Sequence, residues 1–292
     1  MQLPKTRIIK IIFSTFLLLC IYSSSKAQNP EDIITDKKSY FKFAVGYLSN
    51  SVYFGRKDSL ALPYIIPAIS YHNKSGLYLE GSLSYLAGTG SQIDAGAITA
   101  GYEFNSHNEK FSGDIYASKY FTNNSSYSVK GEVKGALGGS LNYNTGPLTV
   151  NGGLDVSFSS KSDIGLSFGL SHPFELGDNH WAITPSALVN AGTQNFYENY
   201  FTNRKYSLKR KRRLIQNLST IKVIVVTKSF AVLDYELSMP VDYTGHKWGL
   251  FFTPTFSIPQ NGFKYSINNG ATYQTEKLSN SFYAEVGAYI KF

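Results

Sequence analysis

Residues 148–159 read Leu-Thr-Val-Asn-Gly-Gly-Leu-Asp-Val-Ser-Phe-Ser, and their side chains alternate strictly between two kinds. In an extended strand, successive side chains point to opposite faces of the sheet. One face of this segment is therefore polar or small and the other is apolar: the first holds Thr149, Asn151, Gly153, Asp155, Ser157 and Ser159, and the second holds Leu148, Val150, Gly152, Leu154, Val156 and Phe158. The segment predicts a long strand between an apolar and a polar environment.

The same alternation recurs elsewhere along the chain, in residues 77–85, 129–143, 231–239, 248–256 and 282–292. Strands of soluble sandwiches average about 5–6 residues, whereas these segments run to about ten, the length that a tilted strand needs to cross a bilayer. Strands can span lipid only if their sheet closes, because hydrocarbon offers no hydrogen-bond partner to the backbone groups of an edge strand. We therefore predict an all-β fold, a closed antiparallel transmembrane β-barrel with its polar face toward the lumen.

Turn-forming clusters between the segments set the number of strands at about twelve, with ten or fourteen as alternatives. The predicted strands are 40–48, 62–72, 77–87, 93–104, 110–121, 128–144, 147–159, 164–174, 181–192, 230–241, 248–258 and 281–292. Residues 263–275 are either an extra strand or a loop hairpin. With an even number of strands both termini lie on the periplasmic side, where aromatic residues at the strand ends form a girdle.

The first 27 residues have the pattern of a secretory signal peptide. Lys5, Arg7 and Lys10 precede an apolar stretch that includes Cys20, and Ser25-Lys26-Ala27 supplies small residues for cleavage after Ala27. We expect 28–39 to be a short periplasmic segment and 40–292 to be the barrel. The processed chain has no cysteine, which excludes disulfides and thiolate metal sites. We predict neither a metal site nor a cofactor.

The chain ends Glu285-Val286-Gly287-Ala288-Tyr289-Ile290-Lys291-Phe292. This ending resembles the C-terminal assembly signal of bacterial outer-membrane β-barrels, in which a polar residue, a glycine two positions later and hydrophobic residues at the third-last and last positions recur. Glu285, Gly287, Ile290 and Phe292 fill those positions. The resemblance implies a porin-type barrel of the outer membrane, surrounded by lipid and inserted by the barrel-assembly machinery. The cleavage region and the Tyr and Asn content are similar to chains of the Bacteroidota.

The positions of the histidines argue against catalysis. Barrel enzymes of this class place Ser-His or Asp-His groups near the outer rim, and a catalytic base must lie within reach of its proton. All five histidines fall in or beside predicted periplasmic turns: His72, His107, His172, His180 and His246. We predict that the protein is not an enzyme.

Charged side chains on the polar faces are mostly acidic. They are Glu80, Glu103, Asp114, Lys130, Glu132, Lys134, Asp155, Asp234, Glu236, Glu285 and Lys291. We take Glu80, Asp114, Glu132, Lys134, Asp155, Asp234, Glu236 and Glu285 as the candidate lumen lining. Rings of charge set the selectivity of a pore, so an open channel would favour cations or neutral polar solutes. The alternative is a network of paired charges that fills the interior.

The longest predicted insertion, 193–229, is a basic extracellular loop that contains Lys209, Arg210, Lys211, Arg212 and Arg213. Such a cluster suits the phosphate or carboxylate groups of lipopolysaccharide or of a surface polysaccharide. A solvated basic loop is the alternative, and a nucleic-acid partner is excluded by compartment. Two functions follow: a passive or weakly selective channel for small polar solutes, or a non-conducting surface barrel whose loop binds a polyanion or another envelope protein.

Overall fold

The computed structural model describes residues 38–58, 61–88, 91–124, 126, 128–177, 180–200, 223–226, 230–267 and 274–292. We number the strands of the main sheet β1 to β12 in chain order. They are β1 Tyr40–Leu48, β2 Tyr64–His72, β3 Leu77–Leu86, β4 Gln92–Asn105, β5 Phe111–Thr122, β6 Gly135–Asn144, β7 Thr149–Phe158, β8 Asp163–Ser171, β9 Ser186–Gly192, β10 Ala231–Ser238, β11 Trp248–Pro259 and β12 Ser281–Lys291.

These twelve strands, counted within the described residues, form a closed ring. Each pairs with its neighbours in antiparallel register, and β12 pairs with both β11 and β1. The closing seam reaches the last residue, since the backbone N–H of Phe292 donates to the carbonyl of Phe41 at 2.9 Å. The predicted closed antiparallel barrel of about twelve strands is confirmed. We call the end that holds Tyr40 and Phe292 the terminal end, and the opposite end the distal end.

The outer surface of the barrel is apolar, as the alternation predicts. Large hydrophobic side chains point away from the lumen on every strand that the sequence pattern identified; on β12 they include Phe282, Val286 and Ile290. At the terminal end aromatic rings contact one another across strands, with Phe111 and Tyr143 centroids 4.6 Å apart and Trp181 and Tyr243 centroids 4.9 Å apart. Aromatic girdles of this kind mark the interface between lipid and water.

The predicted strand 128–144 is wrong over its first seven residues. Val129–Glu132 is a 3-10 helix, and β6 begins at Gly135. Val129 and Val133, expected to face lipid, are each 1% exposed and pack inside the distal end. Lys130 places its ammonium 4.1 Å from the ring centroid of Tyr120. The alternation of residues 129–134 therefore reflects a buried turn rather than a strand in lipid.

Prolines interrupt three neighbouring strands at one level of the wall. Strand pairing breaks at His172-Pro173, Thr184-Pro185 and Met239-Pro240, and short strands continue at Phe174–Leu176, Trp181–Ile183 and Val241–Thr244. Proline has no N–H to donate, so a ladder hydrogen bond is lost at each. The reverse bonds persist: the amides of His172, Thr184 and Met239 donate to the carbonyls of Pro185, Pro240 and Pro254 at 2.8–3.2 Å.

Beyond the barrel lies a small sheet of Val223–Val226, Lys264–Ile267 and Gln274–Thr275, so part of the ambiguous stretch 263–275 is a loop hairpin. A six-residue helix, α1, spans Asn195–Tyr200 at the distal end. Among the described residues no helix has the length and hydropathy to cross a membrane. The predicted signal peptide and its cleavage site after Ala27 lie outside the described residues.

Candidate functional site

The candidate site is the lumen, and the structure places most of the predicted lining on strands. Asp114 and Asp155 lie on the inner faces of β5 and β7, and Glu80 and Glu285 on those of β3 and β12. Asp234 and Glu236 share the inner face of β10, where Asp234 is fully buried. Glu132 and Lys134 instead belong to the distal turn before β6. Whether these groups line a conducting path stays a prediction.

A loop between β1 and β2, which we call the inner loop (residues 49–58), crosses the bore. The ring centroid of Tyr53 lies 4.9 Å from that of Phe196 and 5.4 Å from the ammonium of Lys130. Phe54 lies so close to Gly165 of β8 that a Cβ added there would stand 2.8 Å from the ring tip. A Cβ on Gly55 would in turn meet the side chain of Asp234 on β10 at 2.8 Å. The inner loop thus reaches the opposite wall.

A tight hairpin gives the inner loop its shape. Val52 pairs with Lys57 and Tyr53 with Arg56, so Phe54 and Gly55 form a two-residue turn. Their φ angles are 47° and 71°, and positive φ at both positions is what a type I′ hairpin turn requires. Glycine adopts this region freely, whereas phenylalanine pays a conformational cost there. Packing of the Phe54 ring against the far wall offsets that cost.

Arg56 fastens the hairpin inside the barrel. Its side chain is 1% exposed, and Nη2 lies 2.8 Å from Oε1 of Gln194, 2.8 Å from the carbonyl of Gln260 and 3.2 Å from the carbonyl of Asn261. Its guanidinium also lies 5.6 Å from the ring centroid of Tyr197. Burial lowers the pKa of Arg56 below its ordinary value, and the carboxylate of Glu276 acts in the opposite direction. Nε and Nη1 have no hydrogen-bond partner among the described residues.

An apolar cluster, which we call the mouth cluster, packs beside the inner loop. It consists of Val129, Val133, Phe196, Tyr197, Tyr200 and Phe263, all at most 3% exposed. Asp163 of β8 holds α1 in place, because its two carboxylate oxygens accept the backbone N–H groups of Asn195 and Phe196, each at 2.7 Å. The hydroxyl of Tyr200 donates to Asp58, which ties the helix to the end of the inner loop.

A second buried group covers the distal ends of β2 to β4. Leu62, Tyr64 and Leu86 pack together there. The hydroxyls of Tyr64 and Ser126 each donate to Asp94 at 2.6 Å. A bulge opposite Ser84 and Tyr85 turns Asp94 inward to receive them. Buried side chains therefore fill much of the distal mouth on both sides.

The terminal half of the lumen is lined by fewer buried side chains than the distal mouth. Its inner wall is mainly polar and partly exposed, with Glu103 leaving 54% of its side chain accessible. The hydroxyl of Ser140 donates to Asp114, and the hydroxyl of Ser70 lies 3.0 Å from Nε2 of His72. Lys291 lies over the ring of Tyr289 at 5.2 Å. The inner wall is therefore polar and partly exposed on this side, and the bore narrows toward the inner loop.

All five histidines lie at the terminal end. His72 ends β2 with its ring in the lumen, 3.9 Å from a carboxylate oxygen of Glu103. His172 lies at a proline break, and His107, His180 and His246 lie in turns. The described residues contain no group of three or more His, Cys, Asp or Glu side chains that could hold a metal ion. The absence of catalysis stays a prediction.

The residues of the predicted assembly signal close the barrel. Glu285 and Gly287 face the lumen, whereas Ile290 and Phe292 face outward. The ring of Phe251 lies directly over Gly287 on the neighbouring strand. The basic loop residues 209–213 lie outside the described residues.

No family model matches the chain, and no curated protein sequence matches it. Among solved structures, the chain is similar to the KdgM porin, with 10% identity, 87% of this chain and 99% of that chain covered, and a TM-score of 0.44. It is also similar to the NanC porin, with 9% identity, coverage of 86% and 100%, and a TM-score of 0.47. The outer membrane protein Omp33 of Acinetobacter baumannii gives 8% identity, coverage of 88% and 100%, and a TM-score of 0.34. At this identity and TM-score nothing about solutes or activity transfers to this chain.

Proposed function

We propose that the protein is an outer-membrane channel for small polar solutes, in which the inner loop sets the width of the bore. The observation that carries this proposal is the contrast along the lumen. Partly exposed polar side chains line the terminal half, whereas the fully buried apolar side chains of the interior gather at the distal end. A barrel that served only as an anchor would have no need of a wetted lumen. Small barrels without a channel fill their interior with side chains along its length.

The charges of the lumen favour cations over anions. Glu80, Glu103, Asp114 and Asp155 line the wall from β3 to β7, and Lys42 and Lys291 are the basic residues on the adjoining strands β1 and β12. Charges that line a pore select ions of the opposite sign. Neutral polar solutes pass such a field without penalty. We therefore expect a weak cation preference rather than strict selection.

Planar-bilayer recording of the purified, folded chain tests the proposal. We expect reproducible current steps whose reversal potential in a KCl gradient shows cation preference. Asp155→Asn should reduce that preference, because it removes one lumen carboxylate while keeping an acceptor for the Tyr116 hydroxyl. Glu198→Gln, a change on α1 at the distal end, is the matched control. A silent bilayer with correctly folded barrel would overturn the proposal and direct attention to polyanion binding by residues 209–213.

A further inference from the structure

One cross-strand row of the inner wall is made almost entirely of aromatic residues and glycines. Successive strands from β1 to β8 contribute directly paired residues to it, and we call this set the aromatic row: Tyr40, His72, Tyr78, Gly101, Tyr116, Gly138, Asp155 and Gly165. Of these residues the sequence pattern assigned only Asp155 to the polar face, and it could not show that the eight share a row. The strand register brings them into line.

The first three rings of the row stack on one another across neighbouring strands. The planes of Tyr40 and His72 differ by 8° with centroids 4.8 Å apart, and those of His72 and Tyr78 differ by 19° with centroids 5.7 Å apart. Tyr78 lies over Gly101, where an added Cβ would stand 2.5 Å from ring atoms. Tyr116 covers Gly138 in the same way, at 2.6 Å. A ring that rests on a glycine backbone turns its other face to the bore.

The row also climbs through the barrel. Tyr40 begins β1 and His72 ends β2, both at the terminal end, whereas Gly165 lies two residues from the distal start of β8. Barrel strands tilt by about 35–45° from the axis, so a line perpendicular to them rises by roughly 3 Å at each strand. The row therefore winds from the terminal mouth to the point where Phe54 of the inner loop rests on Gly165.

Hydrogen-bonding groups border the row on both sides. On the distal side the adjacent inward positions hold Ser70, Glu80, Thr99 and Ser118. On the terminal side Glu103 pairs directly with Asp114, which accepts a hydrogen bond from Ser140. Open ring faces flanked by carboxylates and hydroxyls match the two surfaces of a sugar ring, its C–H face and its hydroxyl edge.

We propose that the aromatic row is a binding track for neutral saccharides, along which a sugar moves between the terminal mouth and the inner loop. The inference rests on the proposed channel function for transport, but binding to the row does not require conduction. A sugar ring packs on the bore-facing side of Tyr78 or Tyr116, the rings that rest on glycines, and its hydroxyls donate to the carboxylates beside it. A channel of this design would favour uncharged glycans over organic acids, which the carboxylates repel.

The track is tested by measuring the binding of maltotriose and cellotriose to the folded full-length barrel in lauryldimethylamine-oxide micelles. Line broadening of the sugar signals in NMR reports the binding. We expect Tyr78→Leu with Tyr116→Leu to weaken binding by at least about tenfold, as the loss of two stacking faces implies. Leucine keeps apolar volume above the glycines, so the barrel should fold. Tyr78→Phe, which keeps the ring, should bind nearly as well as the unchanged chain.

Tyr289→Leu is the matched control, because Tyr289 also covers a glycine of the inner wall, Gly249, but lies in another row. Equal losses for the control and the double variant would overturn the track, and so would an absence of saccharide binding by the folded chain. Choline binding that fails in the double variant, with no saccharide binding by the unchanged chain, would reassign the row to organic cations. Saccharide binding by a chain that gives no current would support the track and reject the channel.

Discussion

Phe54, in the loop that follows the first strand, rests on Gly165 of the eighth strand at the far side of the barrel. The two residues are more than one hundred positions apart in the chain and belong to opposite halves of the wall. This contact helps to hold the inner loop across the bore, together with Gly55 against Asp234 and Arg56 against Gln194. The width of the distal lumen therefore depends on several contacts of the inner loop, of which the contact between Phe54 and Gly165 reaches the eighth strand.

Gly165→Val should release the inner loop from the far wall. The added side chain occupies the space of the Phe54 ring tip, and overpacking of this kind costs about 1–3 kcal/mol. We expect higher single-channel conductance and faster chymotrypsin cleavage after Tyr53 and Phe54. Gly81→Val is the control, since a Cβ at Gly81 meets nothing within 4 Å. Cleavage at the same rate in both variants would show that the contact does not hold the loop.

Arg56→Ala should loosen the same loop from the other side of the hairpin. The change leaves Gln194 and the carbonyl of Gln260 without their hydrogen-bond donor. This should destabilise the inward conformation of the inner loop by about 1–3 kcal/mol. We expect larger fluctuations of the open-channel current. The heat-modifiable migration of the folded barrel on a gel should be unchanged. Lys57→Ala is the comparison, because Lys57 makes an exposed hydrogen bond of 3.3 Å to the carbonyl of Asn280. Identical current noise in the two variants would show that Arg56 does not hold the inner loop in place.

The barrel followed from the sequence because its determinants are local. Alternation, strand length and turn residues act over about ten neighbouring positions, and they placed β1, β3 and β7 to within two residues. The inner loop depends on contacts across the ring, which no local pattern records. Phe54-Gly55 between two short extended pairs is a hairpin signal in retrospect. Residues 129–134 were predicted wrongly, because a buried turn has the same alternation as a strand in lipid.

Asp163 offers a test of how α1 is held in the mouth. Asp163→Ala removes the acceptor of two backbone N–H groups and of the Thr193 hydroxyl, which we expect to destabilise the folded barrel by about 1–3 kcal/mol. Urea unfolding in detergent, followed by tryptophan fluorescence, measures the change. Asp163→Asn, which keeps one carbonyl oxygen, should lose less. Equal losses in the two variants would mean that the negative charge of Asp163, rather than its acceptor geometry, holds the helix.

The proline breaks predict that the local stability of the barrel wall differs from one region to another. Each of the pairs His172–Pro185, Thr184–Pro240 and Met239–Pro254 keeps a single backbone hydrogen bond, since proline cannot return one. Amides with fewer neighbouring hydrogen bonds open more often, so peptides covering 172–185 and 239–241 should take up deuterium faster than peptides covering 97–102 and 113–118. Hydrogen-exchange mass spectrometry in detergent measures both regions in one experiment. Equal protection would show that lipid-facing packing, and not the ladder, sets the local stability of this wall.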